Sequence, residues 1–164
     1  MRFKVEVVRS PRRRKTVEAV KDGDKVTVML PATLTRAEAR RWVKTMVDRI
    51  EESEQLQRLN EKRHLQRRAE ELHRRYFYGR PKLNSIRYVS NMRGRYGSCT
   101  PGDGTIRLSH RLAECPDWVR DYVIVHELAH LRIPDHGPSF WRLVNRYPLA
   151  ERARGFLISK GLDE

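Results

Sequence analysis

Cysteine is scarce: only Cys99 and Cys115 occur in 164 residues. Two cysteines cannot build a disulfide framework, so a reduced, cytoplasmic protein is the simple expectation. No run of 18 apolar residues exists, so no membrane-spanning helix is expected, and no membrane partner is expected either. The opening MRFKVEVVRSPRRRK has no apolar stretch of the kind a secretory signal needs, so none is expected. Apolar residues make up 38% of the chain and charged residues 34%, a balance that implies a small core beneath a highly charged surface. The length is still enough for a real core, since a chain near 150 residues buries roughly two-thirds of its surface.

Acidic residues are outnumbered, 21 against 35 Lys and Arg, for a net charge of +14. The excess is uneven. Residues 1–85 hold 23 basic and 12 acidic side chains, a net of +11, whereas residues 86–164 hold 12 and 9, a net of +3. A field of this sign attracts polyanions, so weak, non-specific binding of nucleic acid or nucleotides through the N-terminal half is an expectation. The cluster Arg12, Arg13, Arg14 and Lys15 reads either as a solvated turn or as a phosphate-binding one.

Alternating apolar positions in 2–8, 16–22 and 25–30, with a turn at Asp22-Gly23-Asp24, predict a small antiparallel β-meander over residues 1–34. Thr35 and Glu38 form a T-x-x-E capping box that opens a helix. Apolar residues Trp42, Val43, Met46, Val47 and Ile50 follow at helical spacing. A second helical stretch runs from about 53 to 78, with Leu65, Ala69, Leu72 and Tyr76 on one face, and Gly79 and Pro81 stop it. Residues 35–80 thus read as a helical arm, with His64 and His73 on its surface. Residues 81–164 read as the catalytic core: strands at 86–92 and 105–108, then helices after Cys115-Pro116, Gly137-Pro138 and Pro148. The class is α+β.

The segment DYVIVHELAHL carries His126-Glu127-Leu128-Ala129-His130, an H-E-x-x-H motif. Four helical residues advance about 400°, so the two imidazoles project about 40° apart, one turn from each other. Glu127 projects beside them, in reach of a water on a metal held there. Tyr122, Val123, Ile124 and Val125 make the helix apolar nearly all round, and two histidines and a glutamate are costly in that setting unless paired or metallated. A catalytic zinc requires a third protein ligand and an open position. His136 leads, because Ile133-Pro134-Asp135 turns the chain out of the helix. Glu151, 21 residues after His130, is the rival, and His136 as a cap of the next helix is the remaining reading. Isoleucine at 133 and the lack of any methionine after Met92 exclude a metzincin. Cys99 is a further reach toward the metal, or simply a small buried cysteine.

The run Arg95-Tyr96-Gly97-Ser98-Cys99, then Gly104-Thr105-Ile106-Arg107-Leu108, then VIVHELAHL, then His136-Gly137-Pro138-Ser139-Phe140-Trp141 resembles the YgjP-like metallopeptidase family, a relative of the SprT-like zinc proteases. Tyr96 stands where that family usually has tryptophan. The resemblance implies a zincin-like domain with a small antiparallel sheet and an active-site helix. It implies one zinc ion per chain on His126, His130 and His136, with Glu127 as catalytic residue. Glu127 would be the general base for water attack on a peptide carbonyl. Arg95 and Tyr147 are candidate oxyanion stabilisers, and an edge at 86–92 or 105–108 is the candidate site for an extended peptide or protein substrate. Two other classes remain open: a zinc-dependent nucleotide or phosphoanhydride hydrolase (a pyrophosphatase), and a nucleic-acid-associated protein with a zinc site.

Overall fold

The computed structural model describes residues 3–61, 64–92 and 94–161. Arg2 of the first expected strand and residues 62–63 of the second expected helical stretch lie outside the described residues. The chain divides into two compact units, Met1–Gln55 and Leu56–Glu164.

The first unit is a three-stranded sheet with one long helix. Its strands are β1 (Lys4–Ser10), β2 (Glu18–Asp22) and β3 (Lys25–Pro31). The expected meander is corrected: the order is β1-β3-β2, with β1 parallel and β2 antiparallel to β3. Val26, Val28 and Leu30 of β3 are fully buried, so the most apolar strand takes the centre. The charged strands β1 and β2 take the edges, where lysine and glutamate are tolerated. Helix α1 (Arg36–Glu61) opens on the capping box. The Thr35 backbone N–H and hydroxyl both donate to Glu38 Oε2, at 2.8 and 2.7 Å, and the Glu38 N–H donates back to Thr35 Oγ1 at 3.2 Å. Ala39 and Val47 are buried on the sheet while Trp42 stays exposed.

The second unit surrounds helix α3 (Asp117–His130), preceded by α2 (His64–Phe77) and strands β4 (Ser85–Val89), β5 (Gly97–Thr100) and β6 (Thr105–Ser109). This sheet repeats the order of the first, β4-β6-β5, with β4 parallel and β5 antiparallel to β6. It is therefore mixed rather than antiparallel, again because the strand with the buried Ile106 and Leu108 occupies the centre. Segment 97–100, whose residues alone allow an extended stretch or a turn, becomes a strand by pairing with β6, and the hairpin closes at Gly104, which has φ +62°. A Cβ there would lie 2.6 Å from the Lys82 carbonyl oxygen, so glycine is required. Helices α4 (Pro138–Val144) and α5 (Ala150–Ser159) complete the unit.

Helix α2 begins at His64 and not near residue 53, because residues 53–61 continue α1; it ends as expected at Tyr78-Gly79, both with positive φ. His73, expected on the surface, is only 6% exposed, and burial pushes its pKa down. It stands next to Leu72 on the buried face, whereas His64 is exposed. The same helix ties α3 in place: Arg68 Nε and Nη2 donate to Asp121 Oδ1 and Oδ2 at 3.0 and 2.6 Å. Asp121 is 4% exposed, so its charge depends on this fork. Replacing Arg68 by Ala should therefore lower the unfolding free energy by about 1.5–3 kcal/mol, measured by chemical denaturation followed through tryptophan fluorescence. A loss under about 0.5 kcal/mol would mean that water satisfies Asp121 as well as the guanidinium does.

Candidate metal centre

Residues Tyr122 to Ala129 of α3 are all buried, His126 and Glu127 among them, and His130 is half-buried at the last turn. The helix then stops: the Arg132 and Ile133 N–H groups both donate to the Ala129 carbonyl, and Pro134 cannot continue it. The chain swings out and returns through Gly137, which caps α4 ahead of Pro138. This return carries His136 back over the end of α3.

Three Nε2 atoms meet there. His126 and His130 are 3.2 Å apart, His130 and His136 are 3.0 Å, and His136 and His126 are 3.2 Å. His130 Nδ1 lies 3.1 Å from the Ile133 carbonyl oxygen. A carbonyl only accepts, so Nδ1 carries the proton and Nε2 presents its lone pair to the cluster. Burial, then the neighbouring His130, His136 and Arg154 charges, push the His126 pKa down to about 3. Burial lowers that of His130 as well. Both rings are thus neutral at pH 7, the state in which imidazole binds metal. Nitrogen ligands about 2.0–2.1 Å from a tetrahedral zinc stand roughly 3.3–3.4 Å apart, so the observed triangle fits such an ion with a small expansion. Among the described residues this is the one group of three ligand-type side chains close enough to hold a metal.

Aromatic rings hold the trio from behind. The Phe140 ring packs against all three imidazoles at 4.4–4.9 Å between centroids. Trp141 stacks on His136 at 5.7 Å and 24°, and the Arg154 guanidinium lies 4.7 Å over Trp141. These contacts fix the ring of the one ligand candidate that sits on an exposed loop.

In front of the trio is a cavity of about 530 Å³, lined by Glu127, the three histidines and the segment from Gly94 to Cys99. Glu127 is 5% exposed and lies directly against β5. A Cβ built on Gly97 would collide with Glu127 Oε1 and lie 2.7 Å from its Cγ and Cδ. Only a glycine lets the strand come this close to the carboxylate. Sequence reasoning missed this role. A glycine marks a close approach only once its segment is known to be a strand, and here the strand itself depends on pairing with β6.

The other candidates divide. Arg95 is exposed and lines the cavity. Tyr147 does not line it: the side chain is buried against Tyr76, and its hydroxyl donates to the Trp118 carbonyl at 3.0 Å. Glu151 is on α5, paired with Arg154 at 3.1 Å and outside the histidine cluster. His136 does not cap α4, since Gly137 holds that position. Cys99 lines the cavity but is not in the cluster, and burial followed by the Glu127 charge pushes its thiol up to about 12. It is a protonated thiol at neutral pH. Arg13 of the basic turn folds back on Glu18 at 2.7 Å. No helix among the described residues is long and apolar enough to cross a membrane.

Comparison with curated proteins gives no match. Among solved structures, the metallopeptidase zymogen abylysin of Pyrococcus abyssi superposes with a TM-score of 0.51 at 24% identity. The match covers 58% of this chain and 93% of that one, a likeness of fold. Residues 82–157 match the YgjP-like family's metallopeptidase domain. That span holds β4 to β6, the His126-Glu127-x-x-His130 helix and the His136 return.

Proposed function

We propose that the protein is a zinc-dependent peptidase that holds one zinc ion on His126, His130 and His136. The observation that carries this reading is the meeting of three imidazole Nε2 atoms within 3.2 Å of one another at a cavity walled by Glu127. When bound, zinc lowers the pKa of a coordinated water and polarises a carbonyl. Glu127, next to the trio but not part of it, takes the water proton on its carboxylate and later delivers it to the leaving amine. Its burial strengthens each charge interaction there. Arg95, at the cavity mouth, is the cation available to oxygen charge on the substrate.

The peptide would lie along β5. Strand β6 has both edges paired. The outer edge of β4 is closed by side chains: the Tyr88 and Ile86 N–H groups donate to Asn60 Oδ1 and Gln66 Oε1, and Asn60 Nδ2 donates to the Tyr88 carbonyl. The expected sites at 86–92 and 105–108 are thus both taken. Among the described residues strand β5 pairs on one side only, and it lines the cavity with Gly97, Ser98 and Cys99. An extended substrate added there gains main-chain hydrogen bonds within reach of Glu127.

A peptide suits the cavity better than a nucleotide. Among the described residues Arg95 is the one Lys or Arg in its lining, whereas phosphate sites are built from several cations or backbone nests. A closed structural zinc needs a fourth protein ligand, and Cys99 lies outside the cluster.

Incubation of the zinc-loaded protein with casein, and separately with nucleoside triphosphates, tests the reading. Casein should be cleaved, and triphosphate hydrolysis without casein cleavage would replace a peptidase by a phosphoanhydride hydrolase. Glu127→Gln should keep metal and fold but lose hydrolysis by about 10²–10⁴-fold, so activity within about threefold of the parent would remove Glu127 from the chemistry. Metal content after dialysis should fall for His136→Ala and hold for Glu151→Ala, and the reverse would reassign the third ligand. Gly97→Ala should also keep its zinc. By pushing the carboxylate aside it should lower kcat by at least about 10²-fold, and an unchanged kcat would show that the strand yields to the added methyl.

A further inference from the structure

We propose that strand β1 is a docking site for an extended, carboxylate-bearing segment of a partner protein, which adds to the first sheet as a fourth strand. This proposal goes beyond the peptidase reading and does not rest on it. Three observations within the first unit carry it.

The first is an open edge. Strand β1 pairs with β3 on one side. On its other side no strand or side chain pairs with its backbone among the described residues, in contrast to β4, whose edge Asn60 and Gln66 close. An uncovered edge is a template for pairing, and proteins ordinarily blunt one.

The second is an apolar groove along that edge, about 700 Å³ in volume, between β1 and α1. Val5 and Val7 line it from the strand, and Val43 and Val47 from the helix. Val7 points to the same face as the buried core yet remains 45% exposed. The single helix of the first unit leaves the β1 side of the sheet uncovered, and inward-facing acidic side chains of an added strand would lay their methylene stems on this apolar floor and carry their carboxylates to its rim.

The third is charge. Arg36, Arg40 and Lys44 form an i, i+4, i+8 row on α1 beside the groove; Asp48 and Glu51, further along the helix, also line it, so cations outnumber carboxylates there, and Arg9, which donates to the Leu34 carbonyl at 2.7 Å, adds to the excess. Neither Arg36 nor Arg40 has an ion-pair partner among the described residues. The pairing of Lys44 with Asp48 is solvent-exposed and weak. Residues four apart on a helix rise about 6 Å, and same-face residues of an extended chain are about 6.6–6.8 Å apart. Alternate carboxylates of an added strand therefore match successive cations of the row. Nucleic acid fits less well, because the floor is valine and offers no ring on which to stack a base.

The test uses the full-length, metal-free chain, so that no cleavage intervenes and the peptidase assignment has no bearing on the result. The probe is a fluorescein-labelled, end-capped peptide of alternating Val and Glu, read by anisotropy at low salt. It should bind saturably, and at least about tenfold more tightly than a Val and Lys counterpart. The same sequence with alternate backbone amides N-methylated should lose binding, because strand addition needs those N–H groups. Arg36→Glu with Arg40→Glu, both at exposed positions, should weaken binding at least about tenfold without changing the circular dichroism. Val7→Lys, the second variant, should block the groove itself. Any one of four results overturns the proposal: no saturation up to about 1 mM, equal binding of the N-methylated peptide, no effect of either variant, or displacement by a single-stranded oligonucleotide, which would make the groove a polyanion site.

Discussion

The site depends on a polar stripe buried in a helix that has no solvent-facing side over most of its length. Helix α3 is held by Tyr122, Val123, Ile124, Val125 and Leu128, all buried. In such a place an imidazole or a carboxylate costs several kcal/mol unless something meets its charge or lone pair. His126 and His130 are met by each other and by His136, and their depressed pKa values follow from burial. Asp121, on the same helix, is met by the Arg68 fork. The helix is thus fixed in rotation by polar contacts at both ends, and the core around it supplies the cohesion.

The two sheets solve one problem in the same way. In each, the most buried strand lies between two others, parallel to the first and antiparallel to the second. Their edges differ in use. The edge of β4 is closed by the amides of Asn60 and Gln66, and that of β5 borders the cavity beside Glu127. A strand edge left open is backbone hydrogen-bonding capacity held in reserve, so the edges of this molecule mark where binding is to be sought.

Local signals carried much of the reading. The Thr35–Glu38 box, the glycine stop after α2 and the apolar row of α2 are short-range features, and each stands in the structure as the residues imply. His73 and Tyr147 were misjudged for a single reason. A histidine in a charged helix and a tyrosine near a proline carry no local mark of what will pack on them. Burial against Leu72's side of α2, and a hydrogen bond to Trp118, are consequences of neighbours 29 or more residues away in the second case and of the whole core in the first.

By itself the sequence determined the chemistry available: a helix with two imidazoles one turn apart, a carboxylate beside them, and a proline that forces the chain out of the helix before His136. Spacing on a helix is geometry fixed by the backbone, so these placements needed no fold. Tertiary structure alone decided which strand is central in each sheet, because strand order depends on packing across the sheet and not on the alternation within a strand. It also decided that the loop after α3 folds back to within 3.2 Å of the helix, and that Gly97 brings a strand against Glu127. The reason is the same in both cases: a close approach that no regular backbone spacing fixes depends on what packs around the two segments, and neither segment encodes it alone.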